Sequence, residues 1–206
     1  MSAKKSGKLR EVYQIKVTLL GTEPPIWRRL LVPADMTLVD LDHVVQAAMG
    51  WDGDHLHEFV IGQQRFGTPT PSGQFLAQIR GTRGVVSEEG VRLSSVLRFA
   101  GSKAEYTYDF GDNWEHAIRF EKALPREPRK LYPVCIGGEL HGPPEDCGGV
   151  PGYYNLLDAI RDPEHEGHGE MLEWVGEEFD PEAFSVDEVN ARLSYLQQRW
   201  NKPQWA

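Results

Sequence analysis

A strict alternation of apolar and polar residues near the start of the chain constrains the fold most strongly. In the segment VYQIKVTLL, residues 12–20, apolar side chains occupy every second position from Tyr13 to Leu19. A period of two is typical of a β-strand with one buried face. A second strand is predicted from Ile26 to Val32, between the GTEPP break and Pro33. The two segments are expected to pair as neighbours in an antiparallel sheet.

Helical patterns come later in the chain. One early helix is predicted over Leu38–Met49, because Thr37 and Asp40 form a capping box and Gly50 stands where a C-terminal cap belongs. Residues 67–74, GTPTPSGQ, are predicted as a loop. Three helices are predicted at 153–160, 169–176 and 185–200, the last with Ser185 and Glu188 as its capping box.

This order of elements predicts an α+β fold. The first two-thirds are expected to form a mainly antiparallel sheet with one early helix, and the last third is expected to be helical. Residues 1–10 read as a disordered basic tail, and residues 11–206 read as a single domain.

The charge of the chain is unevenly distributed. Residues 139–188 contain 15 Asp or Glu and one Lys or Arg, whereas the whole chain contains 31 and 22. The net charge of −9 argues against general binding to phosphate backbones. No apolar run approaches the ~20 residues that span a bilayer, and two cysteines are too few for a secreted disulfide framework. We therefore expect a cytoplasmic protein that does not bind membranes.

The segment YTYDFGDNWEHAIRF, residues 106–120, predicts a β-hairpin with acidic residues at its turn. A three-residue loop, 111–113, separates an aromatic face from a polar face almost completely and places Asp109 opposite Glu115. Facing carboxylates can hold a cation or share a proton, or a neighbouring arginine neutralises them. Asp109 and Glu115 are thus catalytic candidates. The binding candidates beside them are Asp112, Trp114 and His116, although His116 also fits a core position.

Two further groups contain residues of the types that ligate metals. His55 and His57 are spaced so that both imidazoles of a strand lie on one face, where they can bind zinc or another borderline metal; a polar strand end is the alternative interpretation. Cys135 and Cys147 flank His141 in a long Pro/Gly-rich stretch, where buried thiols, a metal site and a labile disulfide are all open interpretations. The cofactor is unknown from these patterns, with zinc or another divalent metal as the candidate.

Five segments in the same order are similar to a known family. They are YQIKVTLLGTEPPIWRRLLVPADMTLVDLDHVVQAAMGW, HLHEF, YDFGDNWEH, YPVCIGGELHGPPEDCGGVPGY and FDPEAFSVDEVNARL. Together they resemble the plasmid pRiA4b ORF-3-like family of plasmid and insertion-sequence passenger proteins, over about residues 11–195. The resemblance implies one α+β domain without an assigned activity.

The resemblance also indicates which positions are of functional interest. Carried over by motif, they are His55, His57, Asp109, Asp112, Trp114, Glu115, His116 and Cys147. Family members often place a cysteine directly before PPEDCGG, where this chain has Gly142 beside His141. If the family loop binds metal through several cysteines, this chain lacks one of those ligands.

Three functions follow as hypotheses. The first is a non-catalytic interaction or regulatory module of mobile elements, with an unknown protein partner. The second is a metal-dependent, hydrolase-like enzyme that uses the strand histidines and the hairpin carboxylates. The third, disfavoured by net charge, is nucleic-acid binding through arginines at five positions, namely Arg28, Arg29, Arg65, Arg80 and Arg83.

Overall fold

The computed structural model describes residues 11–79, 81–176 and 178–200, and the predicted tail of residues 1–10 lies outside them. Its centre is one sheet with the strand order β5-β4-β3-β6-β7-β1-β2-β8. The strands are β1 (Glu11–Leu19), β2 (Trp27–Pro33), β3 (His57–Ile61), β4 (Gln64–Gly67), β5 (Val85–Ser87), β6 (Lys103–Tyr108), β7 (Trp114–Pro125) and β8 (Val134–Glu139). Neighbours are antiparallel except β4 and β5, which are parallel.

The described residues also contain six helices. They are α1 (Leu38–Met49), α2 (Pro71–Ile79), α3 (Leu93–Val96), α4 (Gly149–Arg161), α5 (His168–Val175) and α6 (Val186–Trp200). The Thr37–Asp40 capping box and the left-handed Gly50 cap confirm the predicted ends of α1. The α+β class is confirmed, with an antiparallel-dominated sheet and helices at the C-terminal end. None of the helices in the described part of the chain has the length and apolar character needed to cross a bilayer.

The loop predicted at residues 67–74 is partly wrong, because α2 begins within it. The hydroxyl of Thr70 accepts a hydrogen bond from the Gly73 backbone, and Pro71 occupies the first helical position. Proline is favoured there because the first helical N–H has no partner within the helix in any case. The Pro- and Gly-rich composition therefore marked the start of a helix rather than an irregular loop.

The core lies between the inner face of the sheet and α1. Apolar residues of α4 and α6 belong to the same core, and α6 contacts α1 and β8. Ile15, Val17 and Leu19 of β1 are buried as their alternation predicts. Each such side chain contributes about 1.5–3 kcal/mol through removal from water. Nearly every residue of α1 is buried, including Asp42 and Gln46. A helix enclosed in this way carries polar residues into the interior, and these need partners there.

The predicted register of the hairpin is wrong by two residues. Tyr108 pairs with Trp114 and Thr107 pairs with Glu115, so the connection runs from Asp109 to Asn113. Asp109 and Asn113 both have positive φ, and the Asn113 N–H donates to the Asp109 carbonyl oxygen at 2.6 Å. Because the shift is even, the paired residues keep their predicted faces. Asp109 and Glu115 are not cross-strand neighbours, and the predicted carboxylate pair does not exist.

Candidate functional site

His55, Asp109 and Asp146 form a group that we call the loop cluster. Each offers a ligand atom, and these atoms lie within 4.8 Å of one another; no other set of three His, Cys, Asp or Glu side chains among the described residues does so. The three residues come from the α1–β3 loop, the β6–β7 turn and the loop before α4. Metal–ligand bonds of about 2.1 Å allow ligand atoms up to ~4.2 Å apart, so a small contraction would close the cluster on an ion.

The two contacts inside the loop cluster use different nitrogens of the His55 ring, so a single ion would be bound by only one of them. His55 Nδ1 lies 3.8 Å from Asp109 Oδ1, and His55 Nε2 lies 3.3 Å from Asp146 Oδ1. Both distances exceed those of a charge-assisted hydrogen bond. The side chain of Asp146 is 72% exposed, whereas that of Asp109 is 14% exposed. The cluster thus has one well-fixed carboxylate, one partly exposed imidazole and one carboxylate that is free to adjust.

Both aspartates of the loop cluster have an unusual backbone conformation that sets the direction of their side chains. Asp109 has φ 53° and Asp146 has φ 58°, both in the left-handed region. Asp tolerates this region better than most residues because its short side chain can bond to the nearby backbone. The Gly111 N–H indeed donates to Asp109 Oδ1 at 2.8 Å. Residues held in sparsely populated conformations cluster at functional sites, so both aspartates qualify on this ground too.

Hydrogen bonds through Glu145 connect the loops that supply the cluster. Glu145 accepts from the Tyr108 hydroxyl at 2.5 Å and from the Asp52 backbone at 2.8 Å. Asp112 accepts from the Gly148 backbone at 3.0 Å, which ties the hairpin turn to the start of α4. Supporting contacts of this kind fix the positions of ligands. The predicted binding residue Asp112 therefore acts here as a structural clamp.

His57 belongs to a different group, the buried cluster of His57, Asp42 and Glu88. His57 Nε2 lies 2.9 Å from both Glu88 oxygens, and its Nδ1 lies 3.1 Å from Asp42 Oδ1. Because carboxylates only accept, an imidazolium with both nitrogens protonated satisfies both partners. The Tyr106 hydroxyl also donates to Asp42, at 2.6 Å, and so does the Gln46 amide, at 2.7 Å.

Burial and charge act in opposite directions on the buried cluster. Burial alone would lower the pKa of His57, but the Glu88 hydrogen bond and the charges of Asp42 and Glu88 raise it overall. Burial raises the pKa of Asp42, against the opposing effects of His57, Tyr106 and Gln46. His57 and Asp42 therefore both favour their protonated forms, as expected for an imidazole and a carboxylate held away from water beside other carboxylates.

An aromatic layer separates the two clusters. Trp51 stacks on Tyr108 with ring centroids 4.9 Å apart, and it contacts Trp114 and His116. Trp114 and His116 are fully buried, so the structure places these two predicted binding residues in the core. Burial lowers the pKa of His116 to about 4, although the backbone carbonyls of Trp114 and Tyr106 oppose it. His116 is therefore neutral at physiological pH.

A cavity of about 680 Å³ opens beside the loop cluster, between α4 and α5. Asp146 and Cys147 line it together with Leu156, Met171 and Trp174. Pockets of 300–1,000 Å³ are the size that holds a small organic ligand. Asp146 thus belongs to both the loop cluster and the cavity.

The predicted ligands Cys135, His141 and Cys147 are not part of the loop cluster, although Cys147 lines the adjacent cavity. Cys135 is buried on β8, and both thiols are free. Burial and the charges of Asp112 and Asp146 raise the pKa of Cys147 to about 12, so it is a thiol at neutral pH. His141 bonds through Nδ1 to the Gly142 carbonyl at 2.6 Å and packs against Phe179. None of these three side chains joins the loop cluster.

Tight packing requires a glycine at position 142, which could not be inferred from the sequence. A Cβ atom built on Gly142 would lie 2.0 Å from the Met49 carbonyl oxygen. Any larger residue at this position requires the backbone to shift. The close approach of the backbone at Gly142 to the backbone at Met49 therefore explains the glycine. This explanation holds whether or not a family loop with an additional cysteine binds metal.

The remaining predicted residues are dispersed. Glu115 lies on the opposite face of the sheet, by a shallow groove with Leu20 and Val150. Arg28 is 1% exposed, donates to the carbonyl oxygens of Ala48, Trp27 and Glu139, and cannot contact nucleic acid. Its inward orientation follows from the alternation of β2.

Among the other described arginines of the nucleic-acid hypothesis, Arg65 and Arg83 line one groove, whereas Arg29 lies on β2, several strands away. Arg29 pairs with Glu121 at 2.9 Å, and Arg65 pairs with Glu58 at 2.8 Å. Arg83 is exposed, and Arg80 lies outside the described residues. Two of the predicted cations are thus already neutralised by carboxylates.

Sequence reasoning missed four participants. They are Asp146 of the loop cluster, Asp42 and Glu88 of the buried cluster, and Tyr106, which donates to Asp42. Asp146 carries a weak signal, since PPEDCGG places two acids in a proline- and glycine-rich loop. Asp42 occupies a buried position of α1 and breaks its apolar pattern, which is a second usable signal. Glu88 lies in a turn and carries no signal of its own.

Comparisons with known proteins place the chain in a family. Residues 11–188 match the family described as plasmid pRiA4b ORF-3-like protein. The uncharacterised protein y4hQ of Sinorhizobium fredii (strain NBRC 101917 / NGR234) is 37% identical over 191 residues, which cover 92% of this chain and 94% of that protein.

A solved structure supports the same grouping. The crystal structure of MM3350, a protein of unknown function from Methanosarcina mazei Go1, superposes with a TM-score of 0.76 at 37% identity. The match covers 88% of this chain and 99% of MM3350. Both relatives are described as being without a known function, so the comparisons neither show nor exclude a catalytic role. The chain belongs to the plasmid pRiA4b ORF-3-like family.

Proposed function

We propose that the protein is a divalent-metal-dependent enzyme of hydrolase type, with His55, Asp109 and Asp146 as its metal ligands. The observation that supports this most directly is their convergence within 4.8 Å beside a cavity to which Asp146 also contributes. Three protein ligands leave coordination positions for water and substrate. A divalent cation there would polarise a carbonyl or phosphoryl group and lower the pKa of bound water.

The ligand set favours particular metals. One imidazole nitrogen and two carboxylates suit Zn²⁺ or Mn²⁺, and two negative charges balance the charge of a divalent ion. Asp109 is the anchor of the site because its carboxylate is mostly buried and bonded to the hairpin backbone. Asp146 is the ligand that connects the ion to the cavity.

Calorimetric titration of chelator-treated, tag-free protein with Zn²⁺ and with Mn²⁺ tests the metal site. We expect one ion per chain, with affinity at least about tenfold lower in Asp146→Asn and in His55→Ala. Asp54→Asn is the matched control, because Asp54 is an exposed carboxylate on the same loop as His55 but outside the cluster. No binding by the wild type, or equal binding by all variants, would overturn the proposal.

The enzymatic part has its own test. Nitrophenyl esters of neutral and of ammonium-bearing carboxylic acids, and of phosphoric acid, are incubated with metal-loaded and metal-free protein. Hydrolysis that requires the metal and is lost in Asp146→Asn supports the hydrolase, whereas metal binding without turnover of any ester argues against it.

A second candidate, the non-catalytic interaction module, is favoured by one specific observation. Leu56 and Phe110, which directly follow His55 and Asp109, are 59% and 56% exposed. The Asp109 N–H donates to the Leu56 carbonyl at 2.9 Å, so both segments stay joined. Exposed apolar side chains beside a polar site suit a protein interface. Partner binding that is lost in a Leu56→Ser/Phe110→Ser double variant but kept in Phe99→Ser would support this candidate.

A further inference from the structure

The cavity between α4 and α5 combines an apolar wall with one sign of charge. Leu156, Ala159, Met171 and Trp174 supply apolar surface. Its acidic lining residues are Asp146 and, on α5, the exposed Glu170 and Glu173, and His165 also lines it. No lysine or arginine is among the residues that line it. Its field therefore attracts cations and repels anions.

Helix α5 leaves this cavity incompletely covered. None of its residues is fully buried, and the Trp174 side chain remains 49% exposed although it faces an apolar wall. An exposed indole can stack on a ligand ring and attract a cation over its face. Apolar surface that is open to water at this size also gains from coverage by an apolar body.

We infer that this cavity binds a small organic cation, in which a protonated amine is attached to an apolar, ring-sized body. The apolar body packs against Met171 and Trp174, and the ammonium group lies beside Glu170 and Glu173. The inference rests on the proposed function in one respect: it names the substrate class that the metal at Asp146 would act upon. Binding itself requires no metal, so it can be tested separately.

The probes are 2-phenylethylamine and 3-phenylpropionate, which have similar bodies and opposite charges at pH 7.5. Calorimetry on chelator-treated protein is expected to show binding of the amine about tenfold or more above that of the acid. Trp174→Ala is expected to weaken amine binding about fivefold. The Glu170→Gln/Glu173→Gln variant is expected to weaken it by about threefold to tenfold, an effect that diminishes in high salt. Glu178→Gln is the control, because Glu178 is an exposed acid outside the cavity.

Three results would overturn the inference. One is equal binding of the amine and the acid. Another is amine binding that Trp174→Ala leaves unchanged. The third is a pentalysine peptide that binds more tightly than the amine, since the cavity would then accept basic side chains of a protein partner. If the protein binds the amine but does not bind Zn²⁺, only the proposed metal function is contradicted.

Discussion

The loop cluster and the buried cluster have the same composition, one histidine with two carboxylates, and different geometry. Their histidines, His55 and His57, are separated by a single residue. In the loop cluster, the ring lies 3.3 Å and 3.8 Å from its carboxylates; in the buried cluster, the closest distances are 2.9 Å and 3.1 Å.

The difference lies in what completes each group. His57 already neutralises part of the charge of two buried carboxylates, and hydrogen bonds from Tyr106 and Gln46 fill much of the remaining capacity of Asp42. The loop cluster has exposed atoms and longer contacts, and it lies beside a cavity. One histidine with two carboxylates thus forms an internal ion-pair network in one place and a candidate metal site in the other, because burial and convergence differ.

The largest expected effect comes from breaking the buried cluster. His57→Ala leaves Asp42 and Glu88 without their cationic partner, so we expect the free energy of unfolding to fall by about 3–5 kcal/mol. Urea denaturation measures this, with His165→Ala as the control for an exposed histidine. A loss below about 1 kcal/mol would show that the network contributes little to the fold.

The pH dependence of stability separates His57 from the core histidine His116. Because the pKa of His116 is lowered to about 4, its contribution is complete above pH 6.5 and is lost as pH falls, on the order of 3 kcal/mol in total. His57 and Asp42 have raised pKa values, so their contribution is lost as pH rises through those values. Urea midpoints across pH 4–9 test both limbs. The acid limb should shrink in His116→Phe, and its persistence there would contradict the assignment.

Metal-dependent stabilisation should belong to the loop cluster alone. Zn²⁺ at one hundred times its dissociation constant should raise the free energy of unfolding by about 2.7 kcal/mol. Thermal unfolding with and without metal measures this, and the gain should vanish in Asp109→Ala but remain in Asp54→Asn. A gain of similar size in Asp109→Ala would place the ion elsewhere.

The smallest expected effect is that of removing His55 from the metal-free protein, in contrast to removing His57. Without metal, His55→Ala should change the free energy of unfolding by less than about 1 kcal/mol, because partly exposed ion pairs contribute little. Urea denaturation of the chelator-treated protein checks this against His57→Ala. A loss as large as that of His57→Ala would mean that His55 is a structural residue and would weaken the metal assignment.

Part of the site was predictable from sequence. His55 was a candidate because it belongs to a closely spaced histidine pair. Asp109 was a candidate because it lies in an acidic turn of a predicted hairpin. The pairing of His55 with Asp146 was not predictable, because it depends on how the loop of residues 140–148 returns over the α1–β3 loop. Pro143 accepts a hydrogen bond from the Trp51 indole at 2.9 Å, a contact across 92 positions of the chain.

The hairpin shows the same limit at short range. The period of two in residues 106–120 correctly assigned Tyr106, Trp114 and His116 to the buried face. It could not distinguish a three-residue from a five-residue loop, because both keep the same faces. The longer loop has left-handed conformations at Asp109 and Asn113. In it, Asp109 lies beside His55 and not opposite Glu115, as the shorter loop had predicted.

The sequence by itself determined the α+β class, the strand faces and the caps of α1, since these follow from local periodicity and from the chemistry of single turns. Only the tertiary structure decided which histidine meets which carboxylates. Their neighbours in space are as far as 91 positions away in the chain, and sequence spacing carries no information about such approaches. His55 and His57 therefore look alike in sequence and acquire different roles only when the loops fold over the sheet.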